Sequence, residues 1–200
     1  MEIGDPARLA LLMVDLQNDF LHPGGAYGRA GQAAPAIAAL PGRIRPVAEA
    51  VRATGGVVVA TEFTLVPGKS GAPLISPHLK RLRPFLAAGD FAPGSWGQAV
   101  VDELQPVDFA VEKVAYSAFY MSRLEWVLRK AGIERLAVCG ITTNGGVAAT
   151  VRDAHVRDIP VILLEDGCAT FDAEVHRATI KALGSAVEVT TCAEFAKALG

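Results

Sequence analysis

The stretch LALLMVD, residues 9–15, is a continuous apolar run that ends in an aspartate. Such a run is typical of a central parallel strand, because helices cover both faces of that strand. Apolar residues at helical spacing follow at 34–54, and a second short apolar run lies at 57–61. This order of strand, helix and strand is the start of an alternating α/β pattern.

The alternation continues to the end of the chain. Further strands are predicted at 110–113, 135–139, 161–164 and 186–190, and further helices at 96–104, 123–131, 147–157, 173–183 and 193–199. Six strands separated by helices predict a doubly wound, Rossmann-like α/β fold with a central, mostly parallel sheet. The sequence has no internal repeat and no linker, so we expect a single domain over residues 1–200.

Composition limits the functions that this chain can have. Of its 200 residues, 51% are hydrophobic and 20% are charged, and the formal net charge is -2. A nearly neutral chain has no electrostatic footprint for nucleic acid or for an anionic membrane surface. The first residues include Glu2 and Asp5 rather than the basic start of a signal peptide, and no apolar stretch approaches the roughly 20 residues of a membrane span. We therefore expect a cytoplasmic protein with no nucleic-acid or membrane partner.

The cysteines show no pattern of a disulfide framework or a metal site. Cys139, Cys168 and Cys192 are an odd number without CxxC spacing, which excludes a disulfide framework and a zinc ribbon. Each lies in or beside an apolar stretch, so we expect small buried core residues in a reducing compartment.

Three polar features follow predicted strands. Asp15 ends the first strand, Lys113 ends the third, and the turn GITTNGGV at 140–147 follows the fourth. Because ligands bind beyond the carboxyl ends of parallel strands, we expect these features to form one site. Backbone N–H groups of the turn could hold an anion or a developing oxyanion, although the turn lacks a phosphate-loop lysine. An aspartate or a lysine at a strand end can equally be a cap or a solvated side chain.

A long segment at 64–97 is rich in proline and glycine. Connections of this length inside a compact fold are usually functional, so we expect a lid or a substrate loop. The basic residues Lys80, Arg81 and Arg83 of this segment could bind carboxylates or form a solvated face.

Four motifs stand in a fixed order along the chain. They are DLQNDF at 15–20, PGSWG at 93–97, EK at 112–113 followed by YSAF at 116–119, and the stretch from 140 that ends in TVRDA at 150–154. Together they resemble the isochorismatase-like hydrolase superfamily, which includes nicotinamidases, carbamoylsarcosine amidases and isochorismatases. The resemblance spans nearly the whole chain, and it implies a three-layer α/β/α sandwich around a parallel sheet and, commonly, a homo-oligomer.

The resemblance also implies a catalytic triad of Asp, Lys and Cys. Asp15 and Lys113 match the first two members, but the position of the cysteine nucleophile is Gly146. Some isochorismatases of the superfamily also lack this cysteine and hydrolyse a vinyl ether, with the aspartate as an acid. On that pattern Asp15 protonates the enol ether, water captures the oxocarbenium carbon and Lys113 orients the acid. Since a nearby Lys113 lowers the pKa of Asp15 and an acid needs a raised pKa, burial must dominate.

The same resemblance implies an oxyanion hole. A non-proline cis peptide before Thr142 would turn the N–H of that residue toward the site, where it forms an oxyanion hole with the N–H of Gly146. The other candidates for substrate contact are Phe20, His22, Trp96, Tyr116, Phe119 and Asn144. The aromatic candidates could equally be packing residues, since aromatic side chains are common in both settings.

Metal binding is not expected. Nicotinamidases of the superfamily hold a metal through an aspartate and two histidines just after the second strand. The equivalent stretch here, TEFTLVP at 61–67, has no histidine. We therefore predict neither a metal nor a cofactor.

Three functions stay open. The first is cysteine-free hydrolysis of a small metabolite by Asp15 acid/base catalysis, as in vinyl ether cleavage. The second is C–N hydrolysis of the nicotinamidase or carbamoylsarcosine amidase type by a chain whose cysteine has been replaced, and the amidase-like TTN at 142–144 favours it. The third is a non-catalytic relative that only binds a small molecule. Retention of both Asp15 and Lys113 favours catalysis.

Overall fold

A six-stranded, all-parallel sheet forms the centre of the computed structural model, which describes residues 3–200; the acidic Glu2 noted above lies outside the described residues. The strand order is β3-β2-β1-β4-β5-β6. The strands are β1 Leu9–Val14, β2 Val57–Phe63, β3 Phe109–Lys113, β4 Arg135–Ile141, β5 Val161–Ala169 and β6 Glu188–Thr190. The apolar run that follows residue 8 is therefore a central strand, and the expected α/β fold with a parallel six-stranded sheet is confirmed.

Helices cover both faces of this sheet. They are α1 Asn18–Leu21, α2 Ala26–Arg29, α3 Pro35–Ala38, α4 Leu40–Ala53, α5 Pro77–Leu82, α6 Leu124–Lys130, α7 Ala148–Val156, α8 Ala173–Leu183 and α9 Cys192–Leu199. Short 3₁₀ turns lie at Pro6–Arg8 and Asp102–Leu104, and a π turn lies at Thr143–Val147. No helix within residues 3–200 is both long enough and apolar enough to cross a bilayer.

The side-chain alternation of β1 divides the interior into two cores. Leu9, Leu11 and Met13 pack against α4 and α9, whereas Leu12 and Val14 face the opposite side and pack against α6, α7 and α8. Successive side chains of a strand point to opposite faces, so a strand that is apolar at every position needs a helical layer on each side. The result is the expected three-layer α/β/α sandwich.

The prediction of a helix at 96–104 is wrong. Backbone groups of this stretch bond instead to the segment after β1: the N–H of Asp19 donates to Gly97 O at 2.9 Å, and the N–H of Val101 donates to Leu16 O at 3.0 Å. Only the 3₁₀ turn at Asp102–Leu104 is helical. Long-range backbone pairing has replaced the local helical bonds, because the same N–H and C=O groups cannot serve both.

Other boundaries differ less from the prediction. The helix expected at 34–54 is divided into α3 and α4, and the strands β2, β4 and β5 extend beyond their predicted ends. The long segment at 64–97 contains α5, whose first turn is capped by the Ser76 hydroxyl, an acceptor for the N–H of Leu79 at 3.1 Å.

The strand order reverses between β1 and β4. Successive strands run outward from β1 to β3 at one edge, and the chain then returns to place β4 on the other side of β1. Ligands of parallel sheets bind at such a switch point, beyond the carboxyl ends of the strands. Gly140 of β4 lies very close to β1 at this point. A Cβ at Gly140 would lie only 2.2 Å from the carbonyl oxygen of Val14.

We expect Gly140→Ala to lower the free energy of unfolding by about 3 kcal/mol or more, because the new methyl group would overlap the backbone of Val14 and the residue has a φ of 118°. Gly132→Ala is a matched control, since Gly132 also has a positive φ, of 71°, but no atom lies within 4 Å of its Cβ position. We expect about 1–2 kcal/mol for the control. Urea unfolding measures both, and equal losses would contradict the proposed close approach of β1 and β4.

Candidate active site

Asp15 occupies the first position beyond β1 and is buried, with 4% of its surface exposed. Its φ of 56° is in the left-handed region, which is unusual for a residue other than glycine. The Asp15 N–H donates to the carbonyl oxygen of Thr61 at 3.2 Å, and the Thr61 hydroxyl donates to Asp15 Oδ1 at 2.7 Å. These bonds fix the carboxyl group at the end of β2.

Lys113 is the last residue of β3 and is 2% exposed. Its ammonium group lies 2.7 Å from Asp15 Oδ2 and also donates to the carbonyl oxygen of Ala115 at 2.8 Å. The Phe63 ring lies 5.3 Å from the same nitrogen, in cation–π range. The expected meeting of Asp15 and Lys113 therefore takes the form of a buried ion pair.

Burial and charge act in opposite directions on the Asp15 carboxyl group. Burial is the largest influence and raises its pKa, whereas the Lys113 ammonium and the Thr61 hydroxyl lower it. The net direction is a raised pKa, because the loss of hydration of the carboxylate outweighs the favourable contacts. Asp15 thus holds a proton more tightly than an exposed aspartate does.

A tight turn after β4 forms the opposite wall. The peptide bond between Ile141 and Thr142 is cis, as predicted. The carbonyl oxygen of Thr142 accepts hydrogen bonds from the N–H groups of Gly145 at 3.0 Å and Val147 at 3.2 Å, which hold the turn closed. Thr142 and Gly146 both line the cavity beside Asp15, and the oxyanion hole expected from their N–H groups stays a prediction.

Gly146 faces the carboxyl group directly. A Cβ at Gly146 would lie 3.3 Å from Asp15 Oδ2 and 2.9 Å from the carbonyl oxygen of Ile141. The second distance is shorter than real Cβ atoms tolerate, so any side chain at this position would force the turn to shift.

A cavity of about 300 Å³ contains these groups. Most of its lining is aromatic or aliphatic, as in many small-molecule sites. The residues that line it are Asp15, Phe20, Tyr27, Phe63, His78, Leu79, Leu82, Arg83, Leu86, Phe91, Lys113, Val114, Ala115, Tyr116, Thr142 and Gly146. Among the residues identified from sequence, Asp15, Phe20, Lys113, Tyr116, Thr142 and Gly146 therefore meet at one cavity.

Two of the predicted substrate contacts, His22 and Trp96, lie outside this lining. Their rings contact each other edge to face, with centroids 4.9 Å apart. His22 Nδ1 accepts a hydrogen bond from the N–H of Gly24 at 3.0 Å, so the imidazole braces its own turn.

The other two predicted contacts that lie outside the lining are Phe119 and Asn144. The Phe119 ring is buried against the Arg157 guanidinium group, 4.8 Å from its centroid. Asn144 Oδ1 accepts a hydrogen bond from the Thr170 hydroxyl at 2.8 Å. The side chains of both residues therefore contact other elements of the fold.

Part of the lining of the cavity was not predicted from the sequence. Tyr27, Phe63 and Phe91 contribute rings to the cavity, although no pattern in the sequence links them to Asp15. His78, Leu79, Leu82 and Arg83 also line it, and their spacing of one, three and one residues is that of a single helical face. This spacing is a local signal for α5.

The three cysteines lie away from the cavity and are buried, as expected. Burial raises the pKa of each thiol, well above the usual range for Cys139 and to about 12 for Cys192. A thiolate is the nucleophilic form of cysteine, so these residues are inert at neutral pH.

Within residues 3–200, no group of three or more His, Cys, Asp or Glu side chains is arranged to hold a metal ion. The prediction of a metal-free site stays a prediction.

Comparisons with known proteins agree with the fold. The isochorismatase domain family model matches residues 9–194. A cysteine hydrolase from Pseudomonas syringae pv. phaseolicola 1448A superimposes with a TM-score of 0.86 at 27% identity, covering 100% of this chain and 95% of that one. N-carbamoylsarcosine amidase from Thermoplasma acidophilum superimposes with a TM-score of 0.72 at 27% identity, covering 92% and 96%. Pyrazinamidase of Pyrococcus horikoshii in complex with zinc superimposes with a TM-score of 0.75 at 24% identity, covering 92% of this chain and 99% of that one. This likeness supports the fold alone.

We expect Lys113→Met to lower the free energy of unfolding at neutral pH by about 3–5 kcal/mol, because it leaves the Asp15 carboxylate buried without a counter-ion. The double variant Asp15→Asn/Lys113→Met should lose much less of its free energy of unfolding, since both charges are removed and asparagine tolerates a positive φ. Lowering the pH should narrow the deficit of the single variant, because the pKa of Asp15 is raised in the folded protein and protonation removes the buried charge. Urea unfolding across pH measures this, and equal losses in both variants would contradict the coupling.

Proposed function

The chain belongs to the isochorismatase domain family of hydrolases, and we propose that it hydrolyses a small metabolite without a cysteine nucleophile, through acid catalysis by Asp15. The observation that carries this proposal is the buried Asp15 carboxyl group, whose pKa is raised although Lys113 lies 2.7 Å away. A general acid must hold its proton until the substrate takes it, and burial favours that state.

Vinyl ether hydrolysis suits such an acid. Asp15 transfers its proton to the terminal carbon of the C=C bond, which leaves an oxocarbenium ion. Water adds to the cationic carbon and returns a proton to the Asp15 carboxylate, and the hemiketal then divides into a carbonyl compound and an alcohol. One water molecule is consumed, and the carboxyl group is regenerated. Lys113 holds the carboxylate in place between the two proton transfers.

Gly146 supports the cysteine-free route. The position beside Asp15 Oδ2 carries no side chain, and a Cβ there would lie within 3.3 Å of that oxygen. The turn is therefore packed for glycine, and the space in front of the carboxyl group is left to substrate and water. An acyl-enzyme cannot form at Gly146, since glycine offers no nucleophile.

Amide hydrolysis is the second candidate. The likeness to N-carbamoylsarcosine amidase favours it, and so does the TTN stretch at 142–144. An amidase of this type would need a thiol at position 146. The two candidates therefore differ in what a restored cysteine would do.

Asp15→Asn should lower kcat/KM for vinyl ethers by about 10²–10⁴-fold, because the amide cannot donate the proton. Turnover by the unmodified protein should fall as the pH rises through the raised pKa of Asp15, since the acid form is then lost. The rate of product formation from each member of a panel of vinyl ethers measures both effects. Asp102→Asn is the control, because Asp102 is exposed and lies outside the cavity. A rate that falls on acidification instead would indicate a base, and binding without turnover across the panel would leave a non-catalytic protein.

Gly146→Cys should lower vinyl ether turnover by up to about 10²-fold, because the new Cβ displaces the turn that faces Asp15. Gly146→Ala is the matched control, since it adds the same Cβ without the thiol, and we expect a similar loss. Amide hydrolysis should stay absent in both variants. A gain of amidase activity in Gly146→Cys alone would overturn the proposal in favour of the second candidate.

A further inference from the structure

The charges that line the cavity are unevenly distributed. Asp15 and Lys113 are both buried and neutralise each other, and the Lys113 ammonium also donates to the carbonyl oxygen of Ala115. Lys113 is therefore already engaged. The remaining permanently charged residue of the lining is Arg83, which follows α5.

Arg83 has hydrogen-bonding capacity to spare. Its Nε donates to the Tyr27 hydroxyl at 3.0 Å, and its Nη1 donates to the carbonyl oxygen of Leu82 at 3.0 Å. Within residues 3–200, no carboxylate lies within salt-bridge distance of this guanidinium group, and Nη2 has no hydrogen-bond partner. A half-buried cation with an open edge is a ready partner for an anion.

Tyr27 holds this cation in a fixed place. Its ring is buried, stacks on Phe171 with centroids 5.5 Å apart, and contacts the rings of Phe20 at 4.8 Å and Phe85 at 4.9 Å. Burial raises the pKa of the Tyr27 hydroxyl, so the group keeps its proton. Since the oxygen accepts the Arg83 Nε–H, the phenolic proton is available to donate to a ligand.

We propose that Arg83 and Tyr27 bind the carboxylate of a small, planar, monoanionic substrate and so direct its reacting bond toward Asp15. A single unbalanced cation matches one negative charge better than the two of a phosphate, and the fork of a guanidinium group fits the two oxygens of a carboxylate. The rings of Phe20, Phe63 and Phe91 favour a flat, apolar body between the two ends. That the anion is a substrate rests on the proposed function, whereas its binding does not.

Binding of three non-reactive probes tests this assignment. Benzoate, acetophenone and phenylphosphonate share a phenyl ring and carry a carboxylate, no charge and a phosphonate, respectively. Isothermal titration with the unmodified protein should give about tenfold tighter binding of benzoate than of acetophenone, as expected for a charge-assisted hydrogen bond. Arg83→Gln should remove that preference and leave acetophenone within about twofold, whereas Arg83→Lys should keep part of it.

Arg81→Gln is the matched control, because Arg81 is exposed and lies outside the lining of the cavity. It should change neither affinity. Equal loss of benzoate and acetophenone in Arg83→Gln would assign Arg83 a structural role and overturn the proposal. Benzoate that binds no better than acetophenone, phenylphosphonate that binds more tightly than benzoate, or no detectable benzoate binding at millimolar concentration would overturn it too. Arg83-dependent benzoate binding in a protein that turns over no vinyl ether would reject the proposed function alone.

Discussion

The Asp15–Lys113 ion pair constrains three strands at once. Asp15 ends β1, Lys113 ends β3, and Thr61 of the intervening strand β2 donates its hydroxyl to the same carboxyl group. Taking either charge alone out of water would cost several kcal/mol, so each is tolerable only with its partner in contact. The pairing of Val14 with Thr61 and of Phe63 with Lys113 in neighbouring strands brings these groups to one edge of the sheet. The position of the reactive carboxyl group is thus tied to the register of the sheet.

Glycine shapes the other side of the site for two different reasons. Gly140 allows β4 to approach the end of β1, where a Cβ would overlap the Val14 backbone. Gly146 leaves the front of the Asp15 carboxyl group open, where a cysteine nucleophile would stand in an amidase of the same family. The first glycine is required by packing, and the second leaves the space that the proposed mechanism uses. In that mechanism a carboxyl group, backbone donors and water act where no thiol is present.

The lining of the cavity combines a neutral ion pair with one further cation, Arg83. Asp15 and Lys113 compensate each other within a largely apolar lining, whereas Arg83 keeps an open edge supported by the buried Tyr27. In surroundings of low polarity an electrostatic contact is stronger than in water, so one fixed cation can orient an anion. In the proposed mechanism, Arg83 recognises the charge of the ligand and Asp15 transfers the proton, so the two tasks are assigned to separate groups.

The amino-acid sequence was enough to predict the parallel sheet, the positions of Asp15 and Lys113 at its strand ends and the turn that contains Gly146, because strand burial and terminal polar residues are local patterns. It misplaced a helix at 96–104, where backbone groups bond to the segment after β1 instead. The position of Arg83 in the lining of the cavity is visible only in the folded protein, since it depends on how α5 lies across distant rings. Periodicity reports which face of an element is buried, and it carries no information on which remote element packs against that face.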